Sequence, residues 1–219
     1  MVNLELKLNG QKSFNSKLLV DTGASHALVL HQNTSPEIDI PDRHITASLG
    51  YGLSGEIKGY LGRIDYASFG GKKLEGIITS FPMPDAGDPL PYERNGSIGG
   101  ELLKKFHVIF DFPNSKLYMK ANRSFKYPFE YNMSGLELIA QGKDLDMFVI
   151  SKIRKDAAAD NVGFKPGDIV VSLNNVSSDK LNLTKIYTVL NEKEGKKINL
   201  TVYRDGQFIS RSFLLKREI

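Results

Sequence analysis

The residues best placed to do chemistry lie in Leu18-Leu19-Val20-Asp21-Thr22-Gly23-Ala24-Ser25. Three apolar residues run straight into Asp-Thr-Gly, which puts a carboxylate at the buried end of a strand where the chain must turn tightly. Gly23 permits the turn and a close backbone approach, and the Thr22 hydroxyl can hydrogen-bond to main chain and lock it. The same residues also make an ordinary strand-ending Asp turn, so their context has to decide. Other chemistries have less to work with. The chain has no cysteine, which removes disulfides, thiol nucleophiles and Cys-zinc sites. His26, His31, His44 and His107 show no HExxH or other ligand-pair spacing, so no metal is expected. His26 is nearest to Asp21 and could line a cleft; surface or packing roles suit all four. Without a glycine-rich phosphate loop, nucleotide binding has no support either, and no cofactor is expected.

The elements that must position Asp21 are strands. Val2, Leu4, Leu6 and Leu8 alternate with polar residues up to Asn9-Gly10, a strong hairpin signal, before the run at Leu18-Leu19-Val20. From Ile45 to Phe81 short β-rich runs continue, and eight of the 20 glycines fall between Gly50 and Gly76. Four of the nine prolines lie between Pro82 and Pro91, around Asp85-Ala86-Gly87, so that segment reads as a loop. A short helix follows over Glu101 to Phe106, then a hairpin of Val108-Ile109-Phe110 and Lys116 to Met119 around Pro113-Asn114. Residues 121 to 132 read as a connector whose four aromatics pack it on a domain. Beyond it the pattern predicts strands near Leu136 to Ala140, Phe148 to Ile153, Ile169 to Leu173, Ile198 to Tyr203 and Phe208 to Leu215. The last two are joined by Asp205-Gly206. Leu183, Ile186, Tyr187 and Leu190 fit one helix face.

Length and composition agree with two globular domains. The chain has 219 residues, 41% of them apolar and 25% charged. It carries 29 Lys and Arg against 25 Asp and Glu, and the excess is divided evenly, 15 against 13 over residues 1–126 and 14 against 12 thereafter. No half is a basic lobe, so nucleic acid is not an expected partner. No stretch approaches 18 consecutive apolar residues, so no membrane-spanning segment is expected.

Ala157-Ala158-Ala159-Asp160-Asn161-Val162-Gly163-Phe164-Lys165-Pro166-Gly167-Asp168 through Asn174 is similar to the core signature of PDZ domains. Gly163 and Gly167 supply turns there, and Asp168 satisfies backbone donors, a structural rather than catalytic duty. The resemblance implies that Ser134, Gly135, Leu136, Glu137 and Leu138 form the loop and strand that hold a peptide C-terminus, with Ile186 on the flanking helix. Ser134 stands where a large apolar residue is commoner.

The first half resembles the active-site strand of pepsin-like and retroviral-type aspartic proteases at Leu18 to Ser25. A second likeness lies at Asn95-Gly96-Ser97-Ile98-Gly99-Gly100-Glu101-Leu102-Leu103, and a third at Phe106 to Phe112. The resemblance implies a mainly β fold: a single-lobe retropepsin-like β-barrel over residues 1–125, followed by a PDZ-like α+β domain over 126–219. It implies an aspartic endopeptidase with Asp21 catalytic, supported by Thr22, Gly23, Ala24, Ser25, Ile98 and Gly99, and with Gly50, Tyr51, Gly52 and Leu53 as a flap over a peptide or protein substrate. Such chemistry needs two carboxylates sharing one proton. The chain shows one, because Asp85 falls in a proline-rich loop and Asp205 in a hairpin turn. The partner must be a second lobe, from a homodimer or from upstream sequence, and the lone chain is expected to be inactive. Ala24, lacking a hydroxyl, implies a mildly acidic optimum. A non-catalytic peptide-binding scaffold is the alternative. Likeness to bacterial proteins of this layout suggests export to the periplasm.

Overall fold

The computed structural model describes residues 1–52, 55–69, 71–83 and 93–219. They form two compact units, Met1–Phe129 and Glu130–Glu218.

In the first unit β1 (Val2–Lys7) and β2 (Phe14–Val20) make the expected hairpin, and Asn9 and Gly10 take the positive φ values that its turn requires. Alternation places Leu4, Leu6 and Leu8 in the core. The remaining strands of the sheet are β3 (Leu28–Leu30), β4 (His44–Gly52), β5 (Gly55–Phe69), β6 (Lys72–Pro82) and β7 (Gly96–Ile98). Their order is β1-β2-β7-β3-β6-β5-β4, and β1 also pairs with β5, so the sheet curls onto itself around one core. The short β7 lies between β2, its parallel neighbour, and β3, its antiparallel one. Gly96 is required there: a Cβ on it would lie 1.8 Å from the Val29 carbonyl oxygen.

Helix α1 (Gly100–Leu103) ends earlier than its sequence suggests, because Phe106 already begins β8 (Phe106–Asp111), which pairs with β9 (Lys116–Ala121). Lys105 fastens the following segment. Its ammonium is buried, donates to the carbonyls of Tyr127 (2.5 Å) and Ser124 (3.3 Å), and lies 4.2 Å from the centre of the Phe129 ring. Burial pulls the Lys105 pKa below the ordinary lysine value.

The second unit contains β10 (Leu136–Gln141), β11 (Met147–Ile153), β12 (Ile169–Leu173), β13 (Val176–Ser177), α2 (Leu183–Leu190), β14 (Lys197–Arg204) and β15 (Gln207–Leu214). The sheet runs β10-β11-β12-β14-β15, with β13 attached to β12, so β10 and β15 are its edges. Asn182 caps α2 by accepting from the Lys185 amide at 2.8 Å, and Ile186 and Leu190 enter the core. Asp168 is fully buried, where it accepts from the Lys165 amide (2.9 Å) and from Arg204 through Nε (2.5 Å) and Nη2 (2.7 Å). This is the structural duty expected of it, and the bidentate guanidinium supplies the charge that such burial demands.

Candidate functional site

Two places gather the residues singled out above. In the first unit Asp21 leaves β2 with its amide bonded to the Ile98 carbonyl (2.9 Å), so the parallel β2–β7 pairing brings the Asp-Thr-Gly turn beside Ile98 and Gly99. Oδ1 of Asp21 accepts from the amides of Gly23 (2.9 Å) and Ala24 (3.1 Å). The Ala24 carbonyl accepts from the Gly100 amide (2.7 Å), which ties the turn to α1. Thr22 and Ser25 are exposed. Of the expected flap, Gly50, Tyr51 and Gly52 belong to β4 and pair with β5, whereas Leu53 lies outside the described residues. Asp85 also lies outside them.

Sequence reasoning missed a contact at this turn. Nε2 of His26 and the Ser97 hydroxyl are 3.0 Å apart, joined across 71 positions by the β2–β7–β3 crossing. Burial lowers the His26 pKa, with the Asp21 charge and the Ser97 contact acting in the opposite direction. The imidazole is therefore biased to the neutral form. No hydrogen bond joins His26 to Asp21 among the described residues, so the base–orienter link of a Ser-His-Asp triad is not formed. Nearby, an apolar groove of about 280 Å³ is lined by Val2, Leu4, Phe69, Ile98, Phe106 and Met119, among others.

In the second unit the expected loop and strand meet α2. Leu136 and Leu138 point inward with Ile186 and Leu190 around a cavity of only about 10 Å³, while Glu137 is partly exposed. Gly135 is fixed by geometry: its φ is +82°, and a Cβ there would lie 2.2 Å from Cβ of Ala157. Ser134 is fully buried. Its amide (3.0 Å) and its hydroxyl (2.6 Å) both donate to Oδ1 of Asn132, and its Oγ accepts from the Leu136 amide (3.1 Å). The Asn132 side-chain amide donates in turn to the Leu136 carbonyl. Further along the edge, the Leu138 amide donates to the Tyr187 hydroxyl at 2.9 Å. Asn132 and Tyr187 are thus groove residues that sequence alone left in a connector and in a packing stripe. The Asn-x-Ser spacing was the available signal for the first, since such pairs close local turns through their side chains.

Residues 132–211 match the family model of the PDZ domain, and that stretch is a PDZ domain. No curated protein matches the chain. Among solved structures it is similar to the HtrA-type protease AlgW with a decapeptide, at 12% identity over 98% of this chain and 75% of that one, TM-score 0.39. A serine endoprotease from Yersinia pestis matches at 13% identity over 80% of this chain and 62% of that one, TM-score 0.37. A C-terminal processing protease of photosystem II matches at 20% identity over 38% of this chain and 22% of that one, TM-score 0.33. This chain spans less than two thirds of the length of the latter two.

The expectation of an aspartic-type endopeptidase is not borne out by these matches. The proteases matched over most of the chain are HtrA-type or a serine endoprotease, and none of the three supports a retropepsin-like lobe. The matches bear on no role for Asp21, Thr22 to Ser25, Ile98 and Gly99, or for Gly50 to Gly52 of β4. No second protease lobe is shown. At this level of similarity the matches assign no reaction to the chain.

What stands is a mainly β chain carrying a PDZ domain. Among the described residues no helix is long and apolar enough to cross a membrane, and no cluster of His, Asp or Glu is arranged to hold a metal.

Proposed function

We propose that the chain docks an extended segment of a partner polypeptide on its PDZ domain, along β10 and beside α2, and that residues 1–125 and 126–219 act as separate domains. The observation that carries this reading is that β10 is an edge strand of the sheet and α2 lies next to it. An extended peptide adds to such an edge by main-chain hydrogen bonds, with side chains received by the flanking helix. Ser134, Gly135, Leu136, Glu137, Leu138 and Ile186 are the chain's contribution on this reading, joined by Asn132 and Tyr187.

The test is selection of binders from a library of displayed peptides on the intact chain, followed by titration of synthetic binders into isotope-labelled protein. Amide shifts concentrated in Leu136–Gln141 and Leu183–Leu190 are expected. Binders whose shifts avoid both elements, or failure to select any, would remove the proposal.

A further inference from the structure

Part of the end of the groove where a peptide terminus would be held is already taken up by the chain's own hydrogen bonds. Carboxylate recognition by backbone requires amides aimed at open space. Here the amides of Ser134 and Leu136 already have side-chain acceptors, Asn132 and Ser134, and the Met133 amide donates to the Leu190 carbonyl at 3.2 Å. The nearby guanidinium is engaged in part: Arg154 donates to Glu218 through Nε (2.7 Å) and to the Asn132 carbonyl through Nη2 (2.6 Å), while its Nη1 is buried without a partner. The cavity that Leu136, Leu138, Ile186 and Leu190 line together with Val170, Leu173 and Leu200 of the core measures about 10 Å³, near the minimum for a single water.

The edge itself has a distinctive state. Along a strand the outward main-chain groups recur with period two, which puts those of Leu136, Leu138 and Ala140 on one side. Leu136 is capped at both its N–H and its C=O by Ser134 and Asn132. The Leu138 N–H is capped by the Tyr187 hydroxyl, which also lies 3.5 Å from the Leu138 carbonyl. A side-chain hydroxyl therefore stands where the first ligand main-chain group would pair, and it hangs from a helix that a ligand would touch.

We infer that this PDZ groove takes an internal extended segment, recognised by main-chain pairing from Leu138 onward, and that the Tyr187 hydroxyl is the placeholder the segment displaces. The ligand class is a chain that continues past the groove at both ends, without a terminal carboxylate.

This inference depends on peptide docking at β10, and its test separates the two. Peptides selected on the intact chain are synthesised as free acids and as C-terminal amides. Binding of both forms within about twofold is expected, because no charge-assisted bond to a carboxylate is lost. Amidation that weakens binding about tenfold or more overturns the inference while leaving docking intact, and would point to Arg154, whose Nη1 is buried without a hydrogen-bond partner. Peptides of neither form shifting the β10 amides would overturn docking and the inference together. Tyr187→Phe supplies an independent readout: with no hydroxyl to displace, it binds the amidated peptides about fivefold more tightly, the equivalent of one ordinary hydrogen bond. Weaker binding by the variant would mean that the hydroxyl contacts the ligand instead of yielding to it.

Discussion

His26 shows how a single side chain couples the first unit to pH. Its pKa is depressed below 6.5 chiefly by burial, so between that depressed value and about 6.5 the unfolded chain binds more protons than the native one. Stability therefore falls as pH drops through this window and is unaffected by this group above it. Urea unfolding of wild type and His26→Gln between about pH 8 and pH 5 should show the wild type losing more on acidification than the variant. Parallel losses would mean that His26 does not carry the dependence. The contact behind it was only half legible in the sequence. His26 could be placed near Asp21 because five positions separate them, but Ser97 arrives from a strand 71 positions away. Asp168 is the same case. Its structural duty could be read from the turn around Gly167, whereas Arg204, the residue that makes its complete burial tolerable, lies 36 positions further on.

Elements were legible where their signals are local. Asn9-Gly10 and Asp205-Gly206 both adopt the positive φ values of tight hairpin turns, and α2 occupies Leu183–Leu190, the stretch that the apolar spacing indicates. The three-residue β7 carries no periodicity of its own; what defines it is insertion between β2 and β3. Gly96 is the residue on which that insertion turns, and an added methyl must push against the Val29 carbonyl, which is backbone and cannot rotate away. Gly96→Ala should lower stability by about 3 kcal/mol or more, the range of severe overpacking, measured by urea denaturation. A cost under about 1 kcal/mol would show that β7 has room to shift. The inference about chemistry was drawn at this same scale. Asp-Thr-Gly at a strand end beside a glycine-rich crossing specifies a turn, and a turn does not specify a reaction.

For the molecule as a whole, the length of the chain and the change of pattern after residue 132 pointed to two domains, and the apolar residues divide accordingly into two clusters. The second cluster, from Met133 to Leu215, draws on every strand of its sheet except β13 and on α2, and so closes a core within one stretch of sequence. A domain of this size buries enough surface to fold alone. Residues 130–218 expressed by themselves should unfold in one cooperative urea transition and keep the Leu138 amide slow to exchange, since its bond to the Tyr187 hydroxyl lies wholly within that stretch. A gradual transition, with exchange at Leu138 as fast as in an open strand edge, would show that the groove needs the rest of the chain to close. The separation into domains and the closed state of β10 would then both have to be given up.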